Sequence, residues 1–409
     1  MNPGESLREP LRVISSVLSE PGKPGLPVGS GGRWHILFGG RQRPLLMPAG
    51  EYRLQKQWLL YFLVGRLRTW YAIALLKLHA LVPAIGLLPE FKVRRLAGAT
   101  REQTPPQPDG MSPGAQAAIQ IGTQGPYQKA SALLISEHGE GMALAKIALA
   151  PSADVMVTAE AGWLRELAGI PGLDGDVPLL LAQGRTGSGR AYLVMSLAPG
   201  TRVTGDFTRA HARFLKELAR ARLESMRFKA SPCCAYLEST LAEIEPKVTH
   251  GESALLENVL LDCRRRLADY YGPFVLSQGD FAWWNIRMHE PRDVRWRQWR
   301  TFVFDWEYAR AGANPLADLF HYHLIQPAAA GRRVGGSFLA SVLRKAQEFA
   351  CEIYPEWKWR ASEISALALA YLLEVLLQYC RSCGKIDHGE RVTRSYWSLI
   401  ERRSSWMVA

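Results

Sequence analysis

Ser277-Gln278-Gly279-Asp280-Phe281-Ala282-Trp283-Trp284-Asn285 is the stretch on which the reading of this chain turns. An Asp and an Asn five positions apart fit one tight loop. Such a loop can aim a carboxylate at one target and bring an amide oxygen to another. Alone, this pattern is common by chance. A second element follows it in the chain. Phe302-Val303-Phe304-Asp305-Trp306 is a short apolar run with a carboxylate near its end, and Glu307 comes next. A carboxylate at the end of a buried strand is costly unless it is paired or holds a metal ion. Mg²⁺ on nucleotide phosphates typically takes one or two protein carboxylates. The plainer alternative is that Asp305 caps a turn or salt-bridges an Arg. The order of the two elements favours the metal reading.

The rest of the chain bounds what surrounds this pair. With 409 residues, 47% of them hydrophobic and 22% charged, the protein can build a buried core in more than one domain. Its net charge of +12 is uneven. Residues 1–101 hold 15 Lys and Arg against 5 Asp and Glu, so the remainder is nearly neutral. A basic end of this kind suits anionic partners or is simply a solvated face. The start, MNPGESLREP, has charges of both signs and no apolar core, so no secretory signal is expected. The six cysteines are then expected reduced in a cytoplasm. Cys380-x-x-Cys383 lacks a second pair at matching spacing, so zinc is not expected. Arg66, Arg68 and Lys77 interrupt the apolar stretch Trp58–Leu88. Ile364–Cys380, with Glu374 inside it, reads as a buried core helix rather than a membrane span.

The two segments GDFAWWN and FDWEYARAGANPLADLFHY together resemble the aminoglycoside phosphotransferase and choline kinase family. The Asp–Asn spacing is that of a protein-kinase catalytic loop. The second segment is similar to the family pattern at Asp305, Trp306, Glu307, Gly312, Pro315, Asp318 and Leu319. The resemblance covers roughly residues 120–390 and is strong over 277–320. It implies Asp280 as the catalytic Asp, Asn285 as a metal ligand and Asp305 as the main metal ligand, with Asp318 buttressing the site. Two residues rather than one separate Gly312 from Pro315. The family usually has His before the Gly-Asp step, and this chain has Gln278, which can still hydrogen-bond.

The same resemblance guides the reading of the nucleotide side. Lys146, inside the apolar strand pattern ALAKIA, resembles the kinase strand lysine that neutralises phosphate charge. Glu160, fourteen positions on, could pair with it, with Glu166 as competitor; a snorkelling Lys and a helix-start Glu are the bland reading. Gly122 and Gly125, in GTQGPYQK, stand where a phosphate-covering loop belongs. Met195 and Leu197 stand where the hinge would contact the base. A Walker A pattern is absent, which argues against a P-loop enzyme. The arginines and tryptophans of 292–300 could face RNA, but their place between Asn285 and Asp305 favours a surface hairpin.

Periodicity organises the whole. Residues 1–33 read as a flexible arm, 34–100 as a basic segment with a helix over Gln55–Ala80, and 101–118 as a Pro/Gly-rich linker. Residues 119–199 read as a nucleotide-binding N-lobe. Strands are expected at Ala130–Ser136, Met142–Ala148, Val177–Ala182 and Ala191–Leu197, with a helix over Ala159–Ala168. Residues 200–409 read as a largely helical C-lobe. It opens with Phe207, Ala210, His211, Phe214, Leu215 and Leu218 at helical spacing. The expected fold class is α+β, a bilobal kinase-like fold with a small β-rich N-lobe, a larger helical C-lobe and a basic N-terminal extension. The expected activity is transfer of a phosphoryl group from ATP or GTP, with Mg²⁺, to a small hydroxylated acceptor. The alternatives are a non-catalytic binding protein of the same fold and an adaptor led by the basic N-terminal segment. Contact with an anionic membrane is kept open; a nucleic-acid partner is not expected.

Overall fold

The computed structural model describes residues 33–38, 44–48, 90–92, 116–135, 141–202, 206–289 and 299–408. Residues 1–32 of the expected arm, the helix expected at Gln55–Ala80 and residues 292–298 of the expected hairpin lie outside the described residues. The chain forms two compact units. One takes in Met1–Arg165 and Pro178–Leu197, the other Glu166–Val177 and Ala198–Ala409. An α+β composition is divided between them, β-rich first and mostly helical second.

In the first unit an eight-stranded antiparallel sheet is built from β1 (Arg33–Phe38), β2 (Pro44–Pro48), β3 (Glu90–Lys92), β4 (Gln116–Ile121), β5 (Lys129–Ile135), β6 (Gly141–Ala148), β7 (Leu180–Arg185) and β8 (Ala191–Ser196). Its spatial order is β3-β1-β2-β4-β5-β6-β8-β7. Ile119, Ile121, Ala130, Ala132, Leu134, Ala143 and Ala145 alternate onto one buried face, as a period of two requires. The neighbouring positions then face the other way, and Lys146 is one of them. Helix α1 (Pro151–Leu167) opens before the expected Ala159, because Pro151 sits at the helix start, where a missing N–H costs nothing. β4 begins inside the stretch read as linker. Leu45, Leu46 and Met47 of β2 are buried against the sheet, so part of the basic segment extends it.

In the second unit, α2 (Arg209–Ala221), α3 (Pro232–Ile244), α4 (His250–Arg266), α5 (Ala317–Ala329), α6 (Gly336–Ile353), α7 (Ala361–Cys383) and α8 (Arg391–Glu401) pack with short strands. β10 (Glu224–Arg227), β11 (Tyr271–Ser277) and β14 (Arg310–Ala313) form one three-stranded sheet. β9 (Thr201–Arg202), β12 (Ile286–His289) and β13 (Arg300–Val303) form another. α7 is long and apolar enough to cross a membrane, but 83% of its apolar window is buried among other helices. α3, α4, α5, α6 and α8 all pack on it. Its one buried carboxylate, Glu374, is paired with Arg310, whose guanidinium also lies 4.0 Å over the Tyr236 ring.

α2 carries a buried imidazole with a measurable consequence. His211 Nδ1 accepts from the Thr208 backbone N–H at 3.0 Å, closing the helix start. Burial, and then the neighbouring His323, pulls the His211 pKa down to about 4 from an ordinary 6.5. The unfolded chain therefore takes up this proton first as pH falls below 6.5, and the stability present above that value is lost on the way to pH 4. The loss attached to this group is about 3 kcal/mol. Urea titrations of wild type and His211→Gln across pH 7 to 4 should show a shallower acid limb in the variant. Parallel limbs would show that His211 does not resist protonation.

Candidate active site

The Gly-Asp step follows β11 directly, and a buried carboxylate at the start of α5 holds its backbone. Asp318 accepts from Ser277 Oγ at 2.9 Å, from Gln278 N at 2.9 Å and from Gly279 N at 3.0 Å. These donors satisfy an acid that burial would otherwise make costly. Burial still outweighs them and raises the Asp318 pKa. Gly279 has φ 83°, and a Cβ there would come within 2.4 Å of the Tyr308 carbonyl oxygen. The turn therefore requires glycine.

Gln278 is fully buried, and its amide ties the two motif segments together. Its Nε2 donates to the Phe304 and Asp305 carbonyls at 3.2 and 2.5 Å, while its Oε1 accepts from Asp280 N at 2.9 Å. The Gln278 amide thus has its donors and acceptor in use. Asp305 itself has φ 68°, the only non-glycine residue among those described in the left-handed region. Such a conformation costs of order 1–3 kcal/mol and persists only where its surroundings impose it. Gln278 on the Asp305 carbonyl is one such restraint. The Phe304 N–H, bonded to the Asn285 carbonyl at 3.1 Å, is another.

Asp280 lies at the centre. Its Oδ2 accepts from Asn285 Nδ2 at 2.8 Å, and its Oδ1 lies 2.8 Å from His321 Nε2. Asn285 Nδ2 also donates to the Asp280 carbonyl at 3.0 Å. Both N–H bonds of that amide are therefore spent on Asp280, and the group Asn285 can offer elsewhere is its oxygen. A quarter of the Asp280 side chain remains exposed, 25%. Burial first, and then the carboxylates of Glu307, Asp280 and Asp305, pushes the Tyr308 hydroxyl up. The carboxylates of Asp280 and Asp305 and the amide oxygen of Asn285 are all oxygen donors, the type a hard divalent cation prefers.

Solved structures give a likeness in chain path. A thermostable mutant of aminoglycoside phosphotransferase APH(4)-Ia is 16% identical at a TM-score of 0.48, covering 71% of this chain and 95% of that one. A Haemophilus somnus protein named as a fructosamine-3-kinase is 15% identical at 0.44, covering 69% and 90%. APH(3'')-Id from Streptomyces rimosus is 16% identical at 0.37, covering 60% and 89%. No protein-family model and no curated protein matches the chain.

The first unit holds the other candidates. Lys146 Nζ lies 2.7 Å from both carboxylate oxygens of Glu160, which α1 brings to the sheet face opposite the apolar cluster. Lys146 is 7% exposed and Glu160 0%. The competitor Glu166 instead pairs with Arg222 at 2.9 Å in the second unit. Gly122 and Gly125 lie in the β4–β5 turn, closed by Gly122 N to the Lys129 carbonyl at 2.7 Å. Met195 is buried in β8, paired with Leu144 of β6 and Leu180 of β7. Leu197 is the last residue of the first unit.

His321 is the site residue that sequence reasoning passed over. It stands three positions after Asp318 in the first turns of α5, the spacing that puts two side chains on one helix face. That spacing was a usable signal, because one of the two residues already belonged to the motif.

Proposed function

We propose that this protein is a phosphotransferase. It moves the γ-phosphoryl of ATP or GTP to a hydroxyl of a small molecule such as a sugar, an amino alcohol or a glycan. One observation carries the reading. A partly exposed carboxylate, Asp280, is clamped through both oxygens in a loop whose backbone is anchored by Asp318 and tied through Gln278 to a strained Asp305.

In this reading Asp280 accepts the acceptor's hydroxyl proton and aims its oxygen, with Asn285 and His321 preventing the carboxylate from turning away. The Asn285 amide oxygen and the Asp305 carboxylate would hold Mg²⁺, which when bound supplies positive charge for the phosphoryl oxygens. The Lys146 ammonium of the first unit, steered by Glu160, would steady the donor's α- and β-phosphates. Catalysis is then positioning and charge neutralisation, with no covalent intermediate on the protein. The same reading places the protein in the cytoplasm, with basic residues 1–101 available to an anionic membrane surface; the charge distribution supports this part.

The test is ³¹P detection of a phosphorylated product from a panel of sugars and amino alcohols with ATP and GTP. Transfer to none of them would favour a non-catalytic binding protein. Asp305→Ala should weaken Mg²⁺-dependent nucleotide binding by at least the ~10–100-fold that even an outer partner of a metal ligand is worth. Unchanged Mg·ATP affinity by calorimetry would make Asp305 structural.

A further inference from the structure

The loop bearing Asp280 ends a buried polar chain that runs through three helices. His321 on α5 reaches Asp280 through Nε2. Its Nδ1 lies 3.2 Å from the Tyr371 hydroxyl on α7, which lies 2.9 Å from the Tyr396 hydroxyl on α8. His321 is 5% exposed, Tyr371 2% and Tyr396 0%. Leu and Phe would fill such space without desolvating an imidazole and two phenols. Packing therefore does not account for these residue types. What the three share is a line of hydrogen bonds that terminates on Asp280.

Counting hydrogens gives the chain a direction. An ionised Asp280 only accepts, so His321 Nε2 carries the hydrogen. Nδ1 of the neutral ring is then an acceptor, Tyr371 donates to it, and Tyr396 donates to Tyr371. Each hydrogen meets an acceptor. A doubly protonated ring would donate to Tyr371 and leave one of the two phenol hydrogens without an acceptor in this chain of three groups. Burial, and then Tyr396, holds the Tyr371 pKa well up, so its hydroxyl stays a donor.

We propose that His321 is a positioning residue for phosphoryl transfer. Its Nε2–H, fixed by Tyr371 and Tyr396, holds Asp280 Oδ1 while Asn285 holds Oδ2, so that the carboxylate faces the acceptor in one orientation. This deepens, and rests on, the phosphotransferase reading above. The role differs from that of Asp318 and Gln278, which fix the loop's backbone rather than its catalytic side chain.

Two measurements on the full-length protein test it. The chain has nine histidines, so ¹⁵N-histidine spectra are tractable, with His321→Gln providing the assignment. Wild type should show His321 as the Nε2–H tautomer. Asp280→Asn should move its Nε2 resonance, and Tyr371→Phe should let the tautomers mix. An Nδ1–H or doubly protonated ring in wild type overturns the proposal whatever the activity. In the product assay, His321→Leu should lower kcat about 100-fold with the nucleotide KM within about twofold, the size expected of a misaimed group. His321→Gln, whose amide N–H can replace Nε2–H, should stay within about tenfold of wild type. Undiminished kcat in the Leu variant overturns the proposal. So does an equal loss in both variants accompanied by equal loss of thermal stability, because the side chain would then serve packing. If wild type transfers to no acceptor, the phosphotransferase reading fails, and the tautomer spectrum still decides whether the chain holds Asp280.

Discussion

Asp280→Asn is expected to lower phosphoryl transfer by roughly 10²–10⁴-fold, the range a positioned general base contributes. The carboxylate accepts through both oxygens, from His321 and from Asn285. An amide accepts through one atom and presents N–H bonds from the other, so one of the two donors must face another donor. The variant therefore loses the proton acceptor and misaims what is left. The orphaned donor costs about 1–3 kcal/mol of stability, less wherever water reaches this partly exposed group. Nucleotide binding should survive, because an acceptor-side carboxylate need not touch the donor. Product formation by ³¹P, nucleotide affinity by calorimetry and thermal unfolding together check this. Near-normal turnover would remove Asp280 from the chemistry.

Asp318→Ala should have the largest effect on stability. Its carboxylate is the common acceptor for the Ser277 hydroxyl and the Gln278 and Gly279 backbone N–H groups, all at 3.0 Å or less. Each donor stranded in a buried site costs about 1–3 kcal/mol. Partial rescue by an entering water puts the expected loss near the low end of that sum, roughly 4 kcal/mol. For a unit of this size that is a drop of about 10 °C in its unfolding transition. Activity should fall with it, because the loop that presents Asp280 is no longer anchored. Differential scanning calorimetry decides the point. A Tm within a degree or two of wild type would mean that Asp318 is not what holds the loop.

Much of the molecule could be read locally. Alternation in ALAKIA placed Lys146 on a strand, and the three-and-four spacing from Phe207 to Leu218 placed α2, because periods of two and 3.6 are properties of the backbone itself. Other elements were obscured by equally local rules. Pro151 is a breaker in most contexts and a helix starter at N1, so local pattern alone starts α1 too late. β4 was hidden because Gln116–Ile121 adjoins a Pro/Gly-rich stretch and becomes a strand by pairing on both edges, with β2 and β5.

The candidate site divides in the same way. Asp280 and Asn285 stand out in the sequence because they are five positions apart, a spacing one loop preserves, and Asp305 because a carboxylate near the end of an apolar run calls for a partner. Sequence alone therefore determined which carboxylates and which lysine are candidates, and the α+β composition that carries them. Only tertiary structure decided between Glu160 and Glu166 as the partner of Lys146, because either could follow from chain position and only one is delivered to that face of the sheet. It alone showed Gln278 tying two segments together, and the left-handed backbone of Asp305. It alone joined His321 to Tyr371 and Tyr396, residues 50 and 75 positions away along the chain. Hydrogen bonds over such separations leave no spacing to read: their geometry is set by how helices pack, and helix packing is decided by apolar surfaces that carry no record of the polar groups they bring together.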